Sequence, residues 1–122
     1  MRYWHEVKRF KQDQFDLVVD WTYEDAAIES CFDETVEDFD EMRRRLNAGI
    51  DTHYVARVRV FYNGHEMGSA TLGSCYAYDC DPEDDINDGI SGYLEDMIHE
   101  AMDDARSRAV EMLDRLKADF LS

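Results

Sequence analysis

YVARVRVFYNGHEMGSATLGSCYAY, residues 54–78, decides the fold. Tyr54, Ala56, Val58, Val60 and Tyr62 alternate with Arg57 and Arg59, the period-two pattern of a strand with one buried face. Asn63-Gly64 follows, a dipeptide suited to the two left-handed positions of a tight hairpin turn. The return strand is expected over residues 66–78, where Gly68 and Gly73 mark either a bulge or a close approach of another backbone.

Upstream, Phe15, Leu17, Val19, Trp21 and Tyr23 alternate with Asp16, Asp20 and Thr22, which predicts another half-buried strand. The first twelve residues read as an extra strand or a turn. Thr35 and Asp38 resemble a capping box, and Val36, Phe39, Met42 and Leu46 recur at helical spacing. Arg43-Arg44-Arg45 and Gly49 then suit a helix C-terminus. After an acidic loop, Ser91 is placed to cap a long helix in which Leu94, Ile98, Ala101, Ala105, Ala109, Met112, Leu116 and Phe120 step by three or four. The expectation is one acidic α+β domain over residues 1–122. In it a small antiparallel sheet of three or four strands packs against a long C-terminal helix and a shorter one. That helix, about 45 Å long if unbroken, outruns a chain of this size, so its apolar end at Met112, Leu113, Leu116 and Phe120 suits a homodimer.

Of the 122 residues, 29 are Asp or Glu and 13 are Lys or Arg, a formal net charge of −16. Solubility needs only about 2 to 8 charges. The 44% hydrophobic and 12% aromatic content excludes a disordered acidic tail. Such a charge disfavours direct binding of nucleic acid or anionic lipid, which take clustered cations, and favours a basic partner. No apolar run reaches membrane-spanning length and no signal-peptide pattern opens the chain. With three cysteines, too few and odd in number for a disulfide framework, this suggests a cytoplasmic protein.

Motifs for chemistry are weak. Setting Gly89 at position six of an EF-hand loop aligns Asp84, Asp88 and Glu95, but Ile86 at position three and Ser91 at position eight do not match. His99-Glu100-Ala101-Met102-Asp103 lacks the second histidine of a zinc-protease helix, and Cys75 and Cys80 have no partner pair. There is no nucleophile elbow or phosphate loop. The reading is non-enzymatic, without cofactor or metal; a metal-dependent enzyme using the acidic loop and His99 ranks last.

The acid is segregated. No basic residue lies between Lys11 and Arg43 or between Arg59 and Arg106. Duplex DNA carries about one charge per 1.7 Å, whereas a single helical stripe offers only about one per 5 to 6 Å. Both acidic blocks on one side of the fold would approach a nucleic-acid backbone. The contact candidates are Asp33, Glu34, Glu37, Asp38, Asp84, Asp85, Asp88, Asp96, Glu100 and Asp103, with Tyr76, Tyr78 and Tyr93 flanking the second block.

Residues 58–64 (VRVFYNG), 72–75 (LGSC) and 92–101 (GYLEDMIHEA) resemble a group of small phage and prophage proteins of unassigned function. In size and acidity the chain is also similar to anti-restriction and anti-CRISPR proteins that mimic DNA. The resemblance implies an inhibitor of a host defence or nucleic-acid-binding complex, acting in the host cytoplasm by occupying a basic groove, and carries over no catalytic residue. The alternative is a dimeric structural adaptor that binds its partner through the C-terminal helix.

Overall fold

The computed structural model describes residues 2–121. Strands β1 (His5–Gln12), β2 (Phe15–Tyr23), β3 (Thr52–Tyr62) and β4 (His65–Ala77) form one antiparallel sheet in the order β1-β2-β3-β4. Of the first twelve residues, His5–Gln12 supply an edge strand, joined to β2 by a turn with Asp13 in the left-handed region. The β3–β4 turn has φ of 48° at Asn63 and 81° at Gly64, as the dipeptide predicts.

Helices α1 (Ile28–Cys31) and α2 (Phe39–Asn47) lie in the β2–β3 connection. Beyond β4 come α3 (Pro82–Asn87), a 3-10 turn over Ile90–Gly92, and α4 (Tyr93–Phe120). Successive strand residues point to opposite faces, and this separates the two helical groups. Leu17, Val19, Tyr54, Ala56, Val58 and Val60 face α3 and α4, packing with Ile86, Leu94, Met97, Ala101, Met102 and Ala105. His53 and Tyr76 face the other way, and Tyr76 packs against a smaller cluster of Ile28, Phe39 and Met42 from α1 and α2. On that second face Asp20 accepts hydrogen bonds from Arg57 (2.9 and 2.8 Å) and Arg59 (3.1 Å), and Arg57 lies 3.7 Å over the ring of Trp4.

Gly68 is where α4 meets the sheet. A Cβ there would sit 2.6 Å from both the Ala101 carbonyl oxygen and the Ala105 nitrogen, so the glycine marks close backbone approach rather than freedom of φ.

Three boundaries differ from the sequence reading. α2 begins at Phe39, not near Val36. Asp38 is the cap, accepting from the Glu41 N–H, while Asp33 draws the Thr35 N–H and hydroxyl into its own turn and leaves Val36 77% exposed. The expected acidic loop contains α3, opened by Pro82 at its first turn with acids behind it. Ser91 does not cap α4: its φ of 54° belongs to a left-handed run from Gly89 to Gly92 that drops Ile90 into the core, and α4 starts at Tyr93 with no side-chain cap.

Candidate functional site: an acidic rim along the β4 edge

β4 is one of the sheet's two outer strands, and carboxylates meet two of its backbone donors. Asp104 of α4 accepts from the Ser69 N–H (3.1 Å), and Glu24 accepts from the Ser74 N–H (2.9 Å). Charges placed on an edge are a common defence against strand addition. Asp104 also fixes the orientation of α4. Residues four apart share a helical flank, so Asp96 and Glu100 lie on the flank that Asp104 turns to β4, with α4 acids stepping at about 6 Å.

The other acidic segments converge on the C-terminal end of β4 from the two faces. Glu37 and Asp38 share a cleft of about 360 Å³ with Asp51, Tyr76 and Tyr78. Asp85 shares a second cleft of about 290 Å³ with Phe32, Ser74 and Tyr93. Asp84 on α3 and Asp88, its C-cap, are exposed. The blocks thus do not lie on one sheet face; they meet around one strand end.

The ten candidates differ in availability. Glu37, Asp84, Asp88, Asp96 and Glu100 are exposed and have no cation within 4 Å among the described residues. Asp38 spends one oxygen on the α2 cap, and Asp33 holds Thr35, whose two hydrogen bonds keep the Asp33 carboxyl below its ordinary range. Glu34 lies in an adjoining cleft, also lined by Glu37 and Asp38, with Glu29, Asp40 and Arg43, where Arg43 pairs with Glu29. Asp103 is 3.6 Å from Arg106. Asp85 is half-buried and accepts from the Tyr54 hydroxyl at 2.5 Å. Burial and then this hydrogen bond push the Tyr54 phenol upward.

Many cations are occupied elsewhere. Arg2, Arg9, Lys11, Arg43, Arg44, Arg45, Arg57, Arg59, Arg106 and Arg108 each pair with a carboxylate. Arg45 is informative because it holds the rim together. It donates to Asp51 (2.8 and 3.0 Å), as do the Tyr76 hydroxyl (2.5 Å) and the Asp79 N–H (2.7 Å), and its guanidinium lies 4.3 Å over the Tyr78 ring. Burial raises the Asp51 carboxyl, but these donors outweigh it and hold the group below 3.8. Tyr78 and Tyr93 are exposed, whereas Tyr76 is half-buried.

His99 is exposed, 4.0 Å from Glu95 on the same helix. Ile86, at an EF-hand ligand position, is fully buried. Cys75 is buried, which pushes its thiol up to about 11, and burial also raises Cys80. Sequence reasoning missed Asp104, Glu24 and Asp51; of these, only Asp104 carried a signal, its four-residue step from Glu100. No helix among the described residues is long and apolar enough to cross a membrane. Comparison with protein families, with curated proteins and with solved structures gives no match.

Proposed function

We propose that the chain is a non-enzymatic inhibitor of phage type that docks its acidic rim into a basic groove of a nucleic-acid-binding protein, in place of the nucleic acid. The convergence of both acidic blocks on the β4 edge supports this reading. The rim presents Glu37, Asp84, Asp88, Asp96 and Glu100 without local countercharge, and exposed Tyr78 and Tyr93 stand among them as anchors. A groove that binds phosphates through counterion displacement would accept such a row for the same electrostatic reason.

The test is charge reversal of four rim residues, Glu37, Asp84, Asp88 and Glu100, each to Lys, in the full chain. Tagged wild-type protein should retain nucleic-acid-binding proteins from a bacterial lysate at low salt and release them with moderate salt or duplex DNA, because exposed charges act over only about 8 Å at physiological ionic strength. The reversed variant, folded by circular dichroism, should retain none. Undiminished retention would overturn the proposal.

A second reading, the dimeric adaptor, rests on the far end of α4. There Met112, Leu113, Leu116 and Phe120 are exposed, and the first three line an apolar groove of about 420 Å³ with Tyr62 and Met67. That reading predicts association that resists salt.

A further inference from the structure

On the sheet face away from α4, three side chains from distant parts of the chain come together. Glu24 directly follows β2 and is tied to β3 by its N–H, which donates to the His53 carbonyl at 3.1 Å. Cys31 closes α1, and His53 is the second residue of β3. A carboxylate oxygen of Glu24, the Cys31 Sγ and a ring nitrogen of His53 all lie within 4.8 Å of one another. Ser74 of β4 joins them, its Oγ 3.2 Å from Glu24 Oε1 and 2.6 Å from Cys31 Sγ.

The donor set matches a borderline transition metal. A tetrahedral ion with Zn–S near 2.3 Å and Zn–N and Zn–O near 2.0–2.2 Å holds its ligands roughly 3.3–3.6 Å apart, so small side-chain rotations close the set. We propose that Glu24, Cys31 and His53 bind one Zn²⁺, with the fourth position left to Ser74 Oγ or water.

A second observation points to a ligand. His53 is 92% buried, being 8% exposed, and its Nε2 has no hydrogen-bond partner among the described residues. A buried polar atom left unpaired calls for an explanation, of which an absent ion is one. Mixed thiolate, imidazole and carboxylate donors suit Zn²⁺ far better than Ca²⁺ or Mg²⁺, which take oxygen alone. On binding, the Cys31 thiol loses its proton to solvent as the metal–sulfur bond forms.

The consequence is mechanical. The ion would bridge the end of β2, α1 and β3, fixing the segment that leads into Asp33–Asp38. The site stands whether or not the rim binds a basic partner.

Co²⁺ added to the full-length protein in excess Mg²⁺, which occupies surface carboxylates, should give tetrahedral ligand-field bands and a thiolate-to-metal charge-transfer band saturating at one equivalent. Zn²⁺ should abolish both. Cys31→Ser should lose the charge-transfer band, and Cys80→Ser should keep it. In the wild-type protein, which needs no substitution to fold, Zn²⁺ should protect Cys31 but not Cys80 from alkylation, read by peptide mass spectrometry. Absence of the charge-transfer band, its survival in Cys31→Ser, or equal alkylation of Cys31 with and without Zn²⁺ would each overturn the site.

Discussion

Substituting Gly68 by Ala tests the seating of α4 on the sheet. The new Cβ would lie 2.6 Å from Ala101 O and from Ala105 N, roughly 0.8 Å inside ordinary contact at 3.4 Å. Both atoms belong to the backbone of α4, so no rotamer change relieves the clash, and the helix must move bodily from β4. Over-packing typically costs about 1–3 kcal/mol, and with rigid atoms on the far side the upper end, about 3 kcal/mol, is expected. With a urea m-value of about 1.5 kcal/mol/M, the midpoint should fall by about 2 M. Urea unfolding followed by the fluorescence of Trp4 and Trp21 measures it. Gly73→Ala is the control on the same strand, because its nearest neighbour is the Glu24 carboxylate at 3.3 Å, the end of a flexible side chain. It should lose less than about 1 kcal/mol. If Gly68→Ala stayed within about 0.5 kcal/mol of wild type, or the control were equally damaging, the close helix–sheet approach would be refuted.

Asp51→Asn should destabilise by about 3–5 kcal/mol, since it leaves the guanidinium of Arg45 and two further donors without their charged acceptor. Because the Asp51 carboxyl is held below its ordinary 3.8, its contribution is present above that pH and fades as pH falls through the lower, folded value. Acid unfolding should therefore be steeper in the wild type than in Asp51→Asn below about pH 4, and parallel curves would contradict this. Leu116→Asp, at an exposed site, should change stability by less than about 0.5 kcal/mol. Sedimentation should nonetheless show it monomeric wherever the wild type is dimeric, and an unchanged dimer would remove α4's end as the interface.

The strands were legible because their pattern is local. Arg57 and Arg59 alternate with buried aliphatics, and Asn63-Gly64 sets the turn of its hairpin, although the pairing then shifts between Phe61 and Val60 and again between Ala56 and Tyr54. α4 was legible for the same reason, through Leu94, Ala101 and Ala105. α3 was hidden in a run of aspartates that resembles a loop, although Pro82 followed by acids is itself a helix-start signal. Thr35 and Ser91 misled because they serve turns instead of the expected caps, Thr35 held by Asp33 and Ser91 in a left-handed run. Rim geometry lay beyond the sequence altogether. Whether Glu37 and Asp84 approach one another depends on strand order and on which face each helix covers. Glu24, Cys31 and His53 likewise share no spacing motif and meet only through the pairing of β2 with β3.

The acidity of the chain makes the colloidal behaviour of the protein depend on pH. Two safeguards against self-assembly act together: the mutual repulsion of acidic molecules, and the packing of α4 on the thirteen-residue outer strand β4, with Asp104 on its Ser69 N–H. The isoelectric point is near 4.4, so acidification removes the repulsion as carboxylates there begin to protonate. Solubility should therefore be lowest near that pH, and added salt at neutral pH should lower it in the same direction by screening the repulsion.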